Sequence, residues 1–95
     1  MSYRISPRAD ADLDEVWTYI ARDDPRAADR MEEALHEAMD QLARMPGLGH
    51  RRADARERYR FWRVGAYLIA YRVEGGVVHV VRVLHGARDI RRFLG

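Results

Sequence analysis

Near the C-terminus, Arg82-Val83-Leu84-His85-Gly86-Ala87-Arg88-Asp89 sets two guanidiniums and an imidazole where an apolar run stops. Side chains of these types could handle phosphate. Metal-free RNA cleavage needs a base for the 2′-hydroxyl, cations for a pentacoordinate phosphate and an acid for the leaving oxygen. Histidine exchanges protons near neutral pH, so His85 is the candidate proton-transfer group, with Arg63, Arg72 and Arg82 on neighbouring strands as cations. A second proton-transfer group is not evident; Tyr71, Glu57 and His79 are the candidates. The competing reading gives Arg72 and Arg82 intramolecular carboxylate partners and makes His85 a strand-end histidine bonded to backbone.

Other chemistries have less to work with. The chain has no cysteine, only two serines, both N-terminal, and no histidine pair at helical spacing for a metal. A nucleophile triad and a zinc hydrolase are therefore disfavoured, and no cofactor or metal is expected. An Arg-rich sheet interleaved with Tyr59, Phe61, Trp62, Tyr67 and Tyr71 also suggests stacking of single-stranded nucleic acid, but core packing is the better default for those aromatics.

The elements that must position these residues follow from patterning. Tyr3-Arg4-Ile5 reads as a short edge or joining strand. Ser6-Pro7 is an N-cap followed by a first helical residue, and Ala9, Leu13, Val16, Trp17, Ile20 and Ala21 recur at helical spacing. Asp10, Asp12, Asp14 and Glu15 are expected mainly on the outer, solvated face. Asp24-Pro25 starts a second helix running to about Met45, with Ala28, Met31, Leu35, Ala38, Leu42 and Met45 as its buried seam and His36 toward its polar side. Pro46-Gly47-Leu48-Gly49 stops it, and residues 50–57 read as a loop with one helical turn at most. From Tyr59 the period becomes two, giving a strand, the Gly65-Ala66 turn, a strand over Tyr67 to Val73, the Glu74-Gly75-Gly76 turn and a central strand over Val77 to His85. Asp89 is placed to cap a last turn that returns Ile90, Phe93 and Leu94 to the core.

The expected fold is α+β: an N-terminal strand and an antiparallel helical hairpin on one face of a three- to four-stranded antiparallel sheet, with a short C-terminal turn or helix. Ninety-five residues predict one domain, spanning 1–95. The start carries no apolar h-region and no window approaches the roughly 18 apolar residues of a membrane span, so a cytoplasmic protein is expected.

Charge is divided along the chain. Residues 1–45 hold 6 Arg against 11 Asp/Glu and residues 46–95 hold 11 Arg against 4, so the halves carry −5 and +7 within a net charge of +2. All 17 basic residues are arginine, whose planar fork suits carboxylates and phosphates. A basic half of this kind implies an anionic partner.

Ser6-Pro7 with Ala11-Asp12-Leu13 and Trp17, Asp24-Pro25 with Ala27-Ala28, Pro46-Gly47-Leu48-Gly49, Val64-Gly65-Ala66-Tyr67-Leu68-Ile69 running into Tyr71-Arg72-Val73, and the Arg82–Asp89 segment together cover essentially the whole chain. In that order they resemble the RelE/ParE superfamily of toxins from type II toxin–antitoxin pairs, and within it the ParE branch. The resemblance implies a toxin that poisons DNA gyrase by trapping its cleaved-DNA complex, is neutralised by a ParD-like antitoxin and assembles with it as a heterotetramer or larger. RelE-like relatives share the fold but cut mRNA on the ribosome. The absence of lysine and of any tyrosine after Tyr71 departs from the RelE pattern, so a non-enzymatic gyrase inhibitor is expected and an endoribonuclease is the alternative. Arg82, His85, Arg88, Arg63 and Arg60 are then the expected target contacts, and Trp17, Trp62, Tyr67 and Arg72 the antitoxin contacts.

Overall fold

A computed structural model describes residues 3–56 and 58–94. Their order is β1 (Tyr3–Ile5), α1 (Pro7–Ala21), α2 (Pro25–Arg44), a 3-10 turn (Pro46–Leu48), β2 (Arg60–Val64), β3 (Tyr67–Glu74), β4 (Val77–His85) and α3 (Ile90–Leu94). Both long helices start as their caps dictate. The Ser6 hydroxyl accepts from the Ala9 amide at 3.0 Å and donates to the Val81 carbonyl at 3.0 Å, so it caps α1 and ties it to β4. Asp24 Oδ1 accepts from the Arg26 and Ala27 amides at 3.0 and 3.3 Å, and Pro25 opens α2.

The sheet order is β1-β4-β3-β2. β2, β3 and β4 form the expected antiparallel meander, whose last turn holds Gly75 and Gly76 at φ +57° and +77°, values that a side chain would resist. β1, however, pairs parallel with β4, Tyr3 opposite Val78 and Ile5 opposite Val80, so the sheet is mixed rather than antiparallel. The direction follows from where α1 must begin. Ser6 bonds both Val80 and Val81, and only a β1 running alongside β4 delivers the chain to that point.

One bulge interrupts the β3–β4 ladder: Ala70 faces Arg82 while Tyr71 faces Val80, leaving Val81 as the extra residue. Its effect is to shift the alternation. Val78 and Val80 face the helices before it, and Val83 does so after it. His85, two residues beyond Val83 and opposite Tyr67, is thereby turned to the helical side.

The core has two layers. Leu13, Val16, Leu35, Met39 and Leu42 from the helices pack on Tyr67, Ile69, Tyr71, Val78, Val80 and Val83. On the opposite face Phe61, Leu68, Ala70 and Leu84 are covered by Ile90, Phe93 and Leu94 of α3 and by Ala55 and Tyr59. Helical cover is thus on both faces, not one, because Tyr67 through Tyr71 is an unbroken buried run whose alternate residues need a second lid. Each fully buried large apolar side chain here contributes about 2 kcal/mol.

Two residues expected in the α1–α2 seam or on its outside exchange places. Met45 is 57% exposed, since it sits at the C-cap with the chain already turning away. Asp12 is 4% exposed, on the inner side of α1. Between α2 and β2 the chain is held by Tyr71, whose hydroxyl donates to the Pro46 carbonyl at 2.7 Å and accepts from the Gly49 amide at 2.8 Å. A side chain at Gly49 would run into that phenol. Helical geometry occurs at Pro46–Leu48; among the described residues of 50–57, His50 bridges Phe61 antiparallel and the rest is turn and irregular chain, with no helix. No helix among the described residues is long and apolar enough to cross a membrane.

Candidate functional site

The buried carboxylate of Asp12 organises the end of β4. Arg82 donates to it through Nε at 2.8 Å and through a terminal nitrogen at 3.3 Å, and the Val83 amide donates to Oδ2 at 2.9 Å. Arg8, one turn earlier on α1, approaches the same carboxylate at 3.6 Å. A forked guanidinium and a backbone amide together answer the charge that burial would otherwise penalise. The result fixes Arg82 against α1.

Past Gly86 the chain folds onto itself. The His85 amide donates to Asp89 Oδ2 at 3.0 Å, and His85 Nδ1 accepts the Arg88 amide at 3.2 Å. Since Nδ1 is an acceptor, this hydrogen bond assigns the neutral ring as the Nε2–H tautomer, a donor rather than a base at its other nitrogen. The His85 and Tyr67 rings stand perpendicular, with centroids 5.5 Å apart. Arg88 reaches Asp89 at 3.3 Å and lies over the Tyr19 ring, 5.6 Å from its centroid. Asp89 was expected to cap α3 with its side chain; its carboxylate instead turns back to the His85 amide, and only its carbonyl accepts from Phe93, at 3.2 Å. Burial raises the Asp89 pKa, but the His85 amide and Arg88 outweigh it and leave it below the usual carboxylate value. Burial raises the Tyr67 phenol, with Arg88 opposing in part.

These groups border a cleft of ≈ 390 Å³ between α1 and the β4 end, with Arg8, Tyr19 and Arg92 on its walls. Arg82, His85, Arg88 and Tyr67 therefore converge as a group. The other sequence candidates lie elsewhere. Arg60 is half-buried and donates to the carbonyls of Gly49 at 2.8 Å and Gly47 at 3.4 Å. Arg63 donates to the Gly65 carbonyl at 3.2 Å and lies across Gly86 from outside. Arg72 forms an ion pair with Glu74 and stands opposite His79 in the ladder. Trp17 donates to Asp29 at 2.9 Å, and Trp62 is half-buried beside His50, 6.2 Å between centroids. Tyr71, proposed for proton transfer, is committed to Pro46 and Gly49; burial raises its phenol. Glu57 lies outside the described residues.

Both intramolecular alternatives raised for Arg82 and His85 are present: an ion pair for one, a backbone bond for the other. Of the four residues that an RNase mechanism would draw on, His85 and Arg82 border the cleft and Arg63 and Arg72 do not. The arrangement can hold an anionic or hydrogen-bonding partner against a fixed cationic wall. It offers one histidine and no converging set of three metal-ligating side chains among the described residues. Sequence reading missed Asp12, Arg8, Tyr19 and Arg92. Asp12 could have been found, because it falls three residues after Ala9 and four before Val16, on the seam itself.

Known proteins bear on this geometry. Residues 3–90 match the family model described as the ParE toxin of the type II toxin-antitoxin system, parDE. A Caulobacter vibrioides protein named Toxin ParE1 is 39% identical over 98% of this chain and 97% of its own length. A Mycobacterium tuberculosis Toxin ParE1 is 39% identical over 97% and 96%. A C. vibrioides Toxin RelE2 is 44% identical over 85% of this chain and 90% of its own. A solved chain from the chromosomal ParDE system of P. aeruginosa shares the fold, with TM-score 0.74 over 90% of this chain and 95% of that one at 22% identity. The chain belongs to the ParE toxin family of type II toxin–antitoxin systems.

Proposed function

We propose that this toxin acts by binding, that DNA gyrase is its target, and that Arg82, His85 and Arg88 form its contact surface. The observation that carries the binding reading is the state of the cleft residues. Arg82 is locked to Asp12, and the His85 Nδ1 is occupied by a backbone amide. Such groups are rigid donors, which suits recognition; a catalytic base must instead offer a free lone pair to substrate. Gyrase as the target rests on the family. Arg63 flanks the same strand end and extends the surface, whereas Arg60 contributes by holding the Pro46–Gly49 segment.

A ParD-like antitoxin is the proposed partner, its acidic residues facing the Arg-rich half and its apolar ones meeting Trp17, Trp62 or Tyr67, beside Arg72. The assembly is a heterotetramer or larger, in the cytoplasm, with residues 1–95 acting as one domain. The RelE2 relative gives the ribosome-dependent nuclease its specific support. Purified protein assayed for gyrase supercoiling and DNA cleavage, and in parallel for mRNA cleavage on programmed ribosomes, separates the two. We expect trapped gyrase cleavage complexes and intact mRNA; unaffected gyrase with cut mRNA overturns the proposal. Substituting Arg88→Ala or His85→Ala then lowers gyrase binding and inhibition together, whereas a catalytic role predicts lost activity with binding intact.

A further inference from the structure

The face of the sheet opposite α1 and α2 divides in two. One half is sealed by α3 over Phe61, Leu68 and Leu84. The other carries two arginines and a histidine, of which Arg4 is exposed and Arg72 and His79 are half-buried. Arg4 of β1 stands opposite His79 of β4, and His79 stands opposite Arg72 of β3, so the three form one row across three strands. Neighbouring strands lie about 4.8 Å apart, which sets the Arg4 and Arg72 backbones roughly 10 Å from each other. The row is on this face because its chain neighbours Tyr3, Ile5, Tyr71, Val78 and Val80 all pack toward the helices. Arg4 has no ion-pair partner among the described residues, and Glu74 offsets Arg72.

The loop into β2 continues the same face. Tyr59 packs with Phe93 on the sealed half, and the Arg58 guanidinium lies 5.1 Å from the centre of the Tyr59 ring. Arg52 lies 5.9 Å from the centre of Phe61, but its guanidinium is paired with Asp54 at 3.0 Å. Guanidiniums resting on aromatic faces lose little freedom when they bind. Arg4, Arg58, Arg72 and His79 take no part in the cleft between α1 and β4.

We infer that this half of the sheet face is a second binding surface, and that its ligand is the phosphate backbone of duplex DNA. Arginines spaced by strands, with a histidine donor between them, fit a repeating polyanion. An acidic peptide would also seat apolar side chains, and the row of Arg4, His79 and Arg72 offers no apolar anchor between its members. With a longest dimension of 38 Å, one copy covers no more than about one turn of duplex, roughly 34 Å. Contacts of this kind position a protein without reading sequence. The inference does not depend on gyrase being the target.

The test is binding of the full chain to a fluorescent 30-base-pair duplex of arbitrary sequence, titrated with salt. Affinity is expected to fall about 50-fold between about 50 and about 200 mM salt, as for roughly three neutralised phosphates. R4E/R58E is expected to weaken binding at least tenfold with an unchanged circular dichroism spectrum and melting curve. R88E/R92E makes the same charge change in the cleft and is expected to leave DNA binding within twofold. No binding by the unaltered protein overturns the inference. So does equal loss in both double variants, which would mean that net charge alone is being measured, and so does equally tight capture of poly-glutamate by the same face.

Discussion

Asp12 and Arg82 show how a single contact can govern a site from below. With Asp12 replaced by alanine, the Arg82 guanidinium, whose side chain is 24% exposed, and the Val83 amide both lose their acceptor. Removing one member of such a buried pair costs about 3 kcal/mol, and D12A is expected to lower unfolding stability by that order in urea titrations. Replacing both members by apolar residues, as in D12L/R82M, is expected to recover part of the loss, since no charge is then stranded although the Val83 amide still lacks its acceptor. If D12A is as stable as the parent, the pair is not what holds α1 to β4. Arg82, His85 and Arg88 were legible as a group because they crowd one strand end. Asp12 was not, because its residue type argued for solvent while its position on the helix argued for the core, and position decides when an arginine is there to meet it.

At the scale of elements, the segment from the end of β4 to α3 is held by few bonds, and one of them titrates. The Asp89 carboxylate accepts the His85 amide and pairs with Arg88, and its folded pKa lies below the ordinary value. A depressed carboxylate adds stability that is present above its unfolded pKa of roughly 3.9 and is lost as pH falls through the lower folded value. Acidification from about pH 5 to about pH 2 should therefore loosen this turn, seen as faster exchange of the His85 amide than of the Ile69 amide deep in β3. D89N should flatten that dependence; an unchanged acid profile in D89N would mean that another group controls the turn. The meander and both long helices could be read from period and caps such as Ser6-Pro7 and Asp24-Pro25. The direction of β1 and the bulge at Val81 could not, since a three-residue strand carries no register signal and its partner is far along the chain. That bulge is what turns His85 toward α1.

Across the whole molecule the uneven charge of the two halves becomes a division between layers. Asp10, Asp14, Glu15, Asp29, Glu32, Glu33, Glu37 and Asp40 are exposed on α1 and α2 and outnumber Arg8, Arg26, Arg30 and Arg44 there, while Arg4, Arg52, Arg56, Arg58 and Arg91 are exposed on the sheet side and its rim. The chain order strand, two helices, three strands produces this: the acidic half is mostly helix and the basic half mostly sheet. Such a field orients an acidic partner before contact, and its reach is about 10 Å at 0.1 M salt. If the proposed antitoxin approaches through its acidic residues, its association rate should drop at least tenfold between about 0.05 and about 0.5 M salt. Its dissociation rate, set by the buried apolar anchors, should change far less. Stopped-flow mixing of toxin and antitoxin measures both. A salt-independent association rate would place the recognition on shape alone and leave the polarity of the two layers without a role in pairing.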